Sequence, residues 1–458
     1  MKVLGILEVM NNADIFCYLD FSIQPDGKTV RFAYEIVRAN ESHLLTETLV
    51  FPDVLPSSDA VQRGLRALHI ALGVSYYKIF LPPSIEQPYQ MDAGEAAFWN
   101  DVFRNGLGEF LYVNKLSKDK VAQFAAQDGQ EFAPSEVLDL DEKAILGIGG
   151  GKDSIVAGEL LKKLNVDLSG FVMATGEQLG QSKSVADVMG IPISAIGRTL
   201  APELMNLQMQ PGAYKGHVPI SLIFGLVGVV MALTEGASMV VVANEASSST
   251  PTTEWEGEAV NHQWSKSFGF EKSLQAYVKQ HIAEGVTYFS AIRPLTSIGV
   301  AKKFAALPQY FEVFTSDNFV FRIDPAKRPS GRWSLESPKS LSSYILLAPW
   351  LSEADIARTF TIDFMNEETL EPLFKELTGL EGHPPLDCVG TVEELVLSLN
   401  LAFKQGKYVN THLMKLAKTS RLIQDKDWDT EAEKLLALQP DSAFPANLAD
   451  KIQAELAQ

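Results

Sequence analysis

Apolar and polar positions follow two different rhythms along this chain. In the first third, Cys17 to Ile23 and Thr29 to Ile36 alternate with a period of two, and Gly5 to Val9 is a short apolar run, so all three predict strands. Pro25-Asp26-Gly27 supplies turn chemistry for a hairpin between Cys17 to Ile23 and Thr29 to Ile36. Asp59 to Leu72 and Gly94 to Arg104 carry helical spacing. From Lys143 the rhythm changes. The β-rich runs Ala144 to Ile148, Leu168 to Met173, Ile191 to Ile196 and Met239 to Ala243 are separated by helical ones, which predicts a parallel sheet with helical crossovers. After about residue 345 the strands stop. There Thr391-Val392-Glu393-Glu394 reads as a capping box ahead of Leu395, Val396, Leu399 and Ala402, with Gly406 as the stop, and Ser352 with Asp355 reads as another N-cap. The Ser/Thr stretch from Ser247 to Thr253 reads as a mobile loop after a strand. The expected architecture is α/β, with a mixed α+β region over residues 1–135, a parallel-sheet domain over 136–345 and a mainly helical region over 346–458.

Composition narrows the class without naming the chemistry. The 458 residues are 46% hydrophobic and 21% charged, an ordinary globular balance with ample core-forming potential and room for two to four domains. The only two cysteines, Cys17 and Cys388, are too far apart for a CxxC metal site or a disulfide framework, and their scarcity predicts a reducing, cytoplasmic setting. The opening Val3 to Val9 run holds Glu8, which argues against a signal peptide. Pro219 to Leu233 is shorter than a membrane span and predicts a buried core helix. A net charge of -18 without a Lys/Arg run argues against nucleic-acid partners. No membrane partner is expected, and oligomeric state leaves no mark in the sequence.

The candidate chemistry begins at Gly147-Ile148-Gly149-Gly150-Gly151-Lys152-Asp153-Ser154, between a predicted strand and a predicted helix. Glycines let backbone N–H groups approach an anion, and a helix N-terminus favours negative charge. Walker A spacing fails because Leu146 holds the first glycine position and Asp153 follows Lys152. A dinucleotide fingerprint fails because Lys152 or Ser154 stands where its last glycine belongs. The segment resembles the PP-loop of the ATP pyrophosphatase superfamily, SGGxDS, with Gly149 replacing the first serine. That resemblance implies ATP as cosubstrate, pyrophosphate held by Gly149 to Ser154, and Mg²⁺ held by Asp153; Asp153 is equally an ordinary helix N-cap. The two cysteines offer no suitable catalytic pattern for an attached glutaminase and no paired thiols for sulfur insertion.

Further segments bear on one family: Gly216-His217-Val218-Pro219, Ala243-Asn244-Glu245, Asn261-His262-Gln263-Trp264-Ser265-Lys266-Ser267 with Phe268 and Glu271, and Phe289-Ser290-Ala291-Ile292-Arg293-Pro294-Leu295. With them go Phe314-Thr315-Ser316 and Asn318, and Cys388-Val389-Gly390 with Glu393-Glu394. Over roughly residues 140–400 the chain resembles the UDP-N-acetylmuramoyl-L-alanyl-L-glutamate epimerases. The resemblance implies an ATP-dependent isomerase that inverts the terminal L-Glu of UDP-MurNAc-L-Ala-L-Glu through an acyl-adenylate, releasing AMP and diphosphate during peptidoglycan synthesis. It departs at Trp333-Ser334-Leu335-Glu336-Ser337-Pro338-Lys339-Ser340, where the family pattern has a Trp-Cys-x-x-Cys-x-Lys-Cys cluster. Three serines cannot form a thiolate metal site.

Inversion needs an acid and a base on opposite sides of one carbon, and the candidates are His262, Lys266, His217, Glu245, Lys339 and Cys388. His262 and Lys266, four apart, would share a face if helical. Arg322, Lys327, Arg328, Arg332 and Lys339 form a basic island suited to phosphate or to a plain solvated loop, and Arg293 could serve likewise. Two other readings stay open: a different adenylating ligase or amide synthetase of the same superfamily, and a nucleotide-binding protein without turnover.

Overall fold

The computed structural model describes residues 14–39, 41–127, 134–174, 179–322, 325–424 and 428–458; the predicted strand at Gly5 to Val9 lies outside them. Strands β1 (Ile15–Ile23), β2 (Thr29–Arg38) and β3 (Glu41–Val50) form an antiparallel meander. The first turn is made by Asp26, whose carboxylate accepts from the backbone N–H groups of Lys28 and Thr29, while Gly27 takes φ +70. Helix α1 (Asp59–Tyr77) leads to the three-residue strand β4 (Ser84–Glu86), parallel to β1 at the sheet edge. Helices α2 (Ala93–Gly106) and α3 (Gly108–Asn114) follow, nearly continuous across Leu107.

The predicted alternation comes next: β5 (Asp141–Gly147), α4 (Lys152–Lys163), β6 (Asp167–Ala174), α5 (Leu179–Met189), β7 (Ile193–Thr199), α6 (Ile220–Glu235), β8 (Ala237–Val242), α7 (Phe268–Tyr277) and β9 (Thr287–Ser290). All nine strands form one sheet, in the order β9-β8-β5-β6-β7-β3-β2-β1-β4. The pairs from β9 to β7 are parallel, and β7 meets β3 antiparallel through Thr48 to Val50 and Gly197 to Thr199. The meander and the α/β units therefore share a single sheet.

Both faces of that sheet are covered, which explains why its central strands read as unbroken apolar runs. Along β5, Ile145 belongs to one core with α1 and α6, while Ala144 and Leu146 belong to the other. That second core also holds Leu341 of α9 (Pro338–Leu347) and Leu395 of α10 (Val392–Lys404). The predicted core helix is α6: Leu226, Val227, Val229 and Val230 are all fully buried, and no described helix is long and apolar enough to cross a membrane. Gly228 lets it approach β8, where a Cβ would stand 2.6 Å from Val240 Cγ1.

Beyond β9 the described chain is helical, through α8 (Ser297–Phe304) and then α9 and α10. Both predicted N-caps form: Thr391 and Glu394 close a capping box, Ser352 accepts from Asp355 N, and Gly406 follows α10 at φ +76. The Ser/Thr stretch differs from expectation. Ala246–Ser249 is a short 3-10 turn with Ser248 fully buried, and Thr253–Trp255 pairs with Glu258–Val260 in a small hairpin. Hydroxyls that read as solvent-facing are instead used inside the molecule.

Candidate active site

The glycine loop stands at the carboxyl end of β5, and Ala243-Asn244-Glu245 stands at the carboxyl end of the neighbouring β8. From β5 the chain crosses toward β6 on one side, and from β8 it crosses toward β9 on the other. Such a reversal of strand order leaves a crevice where open α/β sheets bind ligands. Gly150 takes φ +83, and the space beside Gly149 is open. The N-terminus of α4 carries no side-chain cap. Thr315 N bonds Gly150 O at 3.1 Å, which brings the next residue over the loop, and a Cβ on Gly151 would lie 3.4 Å from Ser316 Oγ. That hydroxyl is buried without a partner. A glycine cradle, an uncapped helix N-terminus and an orphaned donor fit a phosphate group.

Opposed charges surround the loop. Lys152 Nζ lies 2.6 Å from Asp153 Oδ1. Burial works to lower the Lys152 pKa, but the carboxylates of Asp153, Glu245 and Glu394 raise it. Burial likewise works to raise Asp153, and the cations Lys152, Lys339 and Lys266 outweigh it and hold the carboxyl below its ordinary value. Glu245 is buried and accepts from Ser297 Oγ at 3.1 Å. Lys266 Nζ lies 3.2 Å from Cys388 Sγ. The Cys388 sulfur, with the carboxylates of Glu245 and Asp153, outweighs burial and raises Lys266 above its ordinary pKa, so the ammonium is firmly charged. Cys388 N donates to Asp387 Oδ1, which Asn318 Nδ2 also reaches at 3.1 Å, and Lys339 Nζ bonds Asn318 Oδ1 at 3.2 Å.

The histidines enter from the other side. His262 and Lys266 are not on a regular helix; Trp264–Lys266 is a single 3-10 turn, yet both side chains reach the same cluster. His262 Nδ1 is 2.5 Å from Thr252 Oγ1, and its buried Nε2 has no partner. His217 Nδ1 stands 3.6 Å from Glu109 Oε2 of α3. Despite that distance the two are not an ordinary ion pair. Burial, with the charges of His262, Lys78 and Lys266, pushes His217 down to about 4, and burial pushes Glu109 up to about 7. Neither Glu109 nor Asp387 stands out in the sequence. The one signal for Glu109 is that it is the sole charged residue between Arg104 and Lys115. A cleft of about 470 Å³ is lined by Gly108, Asn261, Trp264, Phe268 and Lys272 among others; its walls come from the segments that carry Glu109, His262 and Lys266 but include none of those three side chains.

Two expected phosphate ligands have other work. Arg293 is fully buried, with Nε and Nη2 on the Glu271 carboxylate at 2.8 and 2.5 Å and its remaining donors on Glu245 O, Ser248 Oγ and Lys266 O. A guanidinium so occupied cannot clamp a ligand; it fixes the backbone of the two segments that carry Glu245 and Lys266. Arg332 donates to the carbonyls of Phe311, Phe314 and Thr359. Within the basic island, Arg322 and Arg328 donate to island carbonyls, while Lys339 reaches the site. The serine cluster encloses a buried carboxylate: Ser334 Oγ and Ser340 Oγ donate to Asp317 Oδ2 at 2.7 and 3.0 Å.

The site therefore joins Asp153, Lys152, Glu245, His262, Lys266, His217, Lys339 and Cys388, and leaves Arg293 and Arg332 outside the contact surface. Comparison with known proteins gives a consistent result. Residues 8–291 match the MurL N-terminal domain and residues 313–434 the MurL C-terminal domain. The chain is 33% identical over 407 residues to the UDP-N-acetyl-alpha-D-muramoyl-L-alanyl-L-glutamate epimerase of Xanthomonas oryzae pv. oryzae (strain MAFF 311018), with 88% of each chain covered. It is 32% identical over 406 residues to the enzyme of that name from Micromonospora sp. (strain ATCC 39149 / NRRL 15099 / SCC 1413), covering 88% of this chain and 89% of the relative. The Salinispora tropica enzyme of the same name is 32% identical, with 87% of each covered. With both domain models matched across most of its length, the chain belongs to the MurL family.

Proposed function

We propose that this protein is an ATP-dependent epimerase that converts the terminal L-Glu of UDP-MurNAc-L-Ala-L-Glu to D-Glu, releasing AMP and diphosphate in cytoplasmic peptidoglycan precursor synthesis. The observation that carries this reading is the meeting of two things in one crevice. The glycine loop, with its uncapped helix and the orphaned Ser316 hydroxyl, adjoins the charge cluster of Lys266, Cys388 and His262. Family membership supplies the substrate class, since the relatives bear the epimerase name.

The chemistry explains why a phosphate site should adjoin an acid/base cluster. A free α-carboxylate resists loss of the neighbouring proton, because its negative charge opposes the carbanion. Joined to AMP as a mixed anhydride, the carboxyl becomes electron-withdrawing and can hold that charge as an enolate. In a PP-loop reading, Gly149 to Gly151, the N-terminus of α4 and Ser316 would bind the phosphates, and Asp153 would hold Mg²⁺, which would supply neutralisation of the phosphate charge. Lys152, Lys266 and Lys339 lie near Asp153, and their charges would favour this anion. The cleft lined by Trp264 and Phe268 would give the UDP-sugar room and apolar walls.

The test is incubation of the protein with ATP, Mg²⁺ and UDP-MurNAc-L-Ala-L-Glu in D₂O. D-Glu carrying α-deuterium, with AMP formed in step, is expected; pyrophosphate without inversion would assign an adenylating ligase instead. Asp153→Ala should abolish pyrophosphate release, and unchanged turnover would refute the loop assignment.

A further inference from the structure

One buried carboxylate holds the segment that lies over the glycine loop. Asp317 is fully buried, and its Oδ2 accepts from Ser334 Oγ at 2.7 Å and from Ser340 Oγ at 3.0 Å. Its Oδ1 accepts from Phe319 N at 2.7 Å and so starts the 3-10 turn Asn318–Phe321. Its own N–H donates to Thr315 Oγ1 at 3.0 Å, and that hydroxyl donates to Arg332 O at 2.5 Å. Thr315 N in turn donates to Gly150 O at 3.1 Å. Ser316 therefore stands between two residues that are each bound through backbone and side chain, while its own buried hydroxyl has no partner. The next pair along completes the clasp: Asn318 meets Lys339 as Asp317 meets Ser340 of α9.

We infer that Asp317 is a positioning residue for phosphate binding: through Ser334, Ser340 and the backbone on either side it fixes the Ser316 hydroxyl over Gly151, where that hydroxyl donates to a diphosphate oxygen. This rests on the PP-loop reading above. A buried hydroxyl without a protein partner is costly, so it persists only where neighbouring bonds leave it no other place. Holding it beforehand also matters for affinity, because a donor already in place loses little freedom when a ligand arrives. Asp317 itself is no ligand: it is fully buried, and both of its oxygens already accept. The two serines act together, since each hydroxyl has one proton and both give it to the same oxygen.

The experiment titrates the full chain with inorganic diphosphate and Mg²⁺, and separately with UDP-MurNAc-L-Ala-L-Glu, by calorimetry. Ser316→Ala should weaken diphosphate binding by about tenfold or more, the loss of one hydrogen bond to a charged group. Asp317→Ala should weaken it to a similar degree. Adding Asp317→Ala to Ser316→Ala should weaken it by less than about a further twofold, because the hydroxyl being positioned is already gone. Asp317→Asn, which still accepts from Phe319 N and can donate to both serine oxygens, should recover most of the affinity, a rescue that follows the bonds and not the charge. Affinity for the UDP-linked dipeptide should stay within about twofold throughout. If Asp317→Ala does not fold, the pair Ser334→Ala and Ser340→Ala, which leaves the carboxylate and its turn in place, replaces it in the same cycle. Losses that multiply in the combined variant, equal loss of both ligands, or undiminished diphosphate binding by Ser316→Ala would overturn the assignment alone. Failure of the wild-type protein to bind diphosphate would remove the PP-loop reading and this assignment with it.

Discussion

His69 illustrates how a single buried residue sets a pH dependence. Fully buried in α1, it offers Nε2 to Ala33 O at 3.0 Å and has Nδ1 against the Tyr89 hydroxyl. One donor and one acceptor is what a neutral imidazole requires. Burial pushes its pKa down to about 4 from 6.5. The unfolded chain therefore binds this proton first, so the stability it contributes is present above about pH 6.5 and is lost as pH falls through about 4, amounting to about 3 kcal/mol. Urea melts near pH 7 and near pH 5 should show about 2 kcal/mol of that loss, and His69→Gln should flatten the slope; an unchanged slope would place its source elsewhere. At this scale the sequence was a partial guide. The glycine turn between β5 and α4 was legible because its spacing is local. Glu109 was not, because the residue it faces, His217, lies about 100 residues along the chain. Arg293 was misread for a related reason, since an arginine beside a site looks the same whether it holds a ligand or a buried carboxylate such as Glu271.

At the scale of elements, the start of α10 ties three parts of the site together. Glu394 Oε2 accepts from Thr391 N, as a capping box requires, but Oε1 also accepts from Ser247 Oγ and Ile298 N. One carboxylate thereby joins the helix start to the turn after β8 and to the N-terminus of α8. Thr391→Ala removes a cap alone and should cost about 1 kcal/mol. Glu394→Ala should cost more, with about 1–3 kcal/mol for each buried donor left unpaired. Denaturant midpoints of the two variants test this, and equal losses would contradict the cross-linking role. The capping box itself was legible, since it is written in four consecutive residues. The turn at Ala246–Ser249 was not, because serine hydroxyls satisfy buried carbonyls such as Lys266 O as readily as they face water.

For the whole molecule, the two matched regions meet between residues 291 and 313, but the packing does not divide there. Leu146 of β5 shares a core with Leu341 and Leu395, and Lys266 meets Cys388. Chains divided at about residue 312 should therefore give no sharp thermal transition separately and should recover one when produced together; a cooperative melt from the first part alone would contradict this. The alternation of strands and helices was legible in the hydrophobic rhythm, and so was the α/β class. The antiparallel junction of β3 with β7 was not, because pairing across some 150 residues leaves no local pattern.

That Lys266 meets Cys388 also has a meaning in time. A ribosome adds roughly 120 residues between them, and at about 5–20 residues per second that takes about 6–24 seconds. During this interval the nascent chain already carries its glycine loop and Lys266 but lacks the sulfur. Birth order alone withholds this contact until the carboxy-terminal part of the chain has emerged.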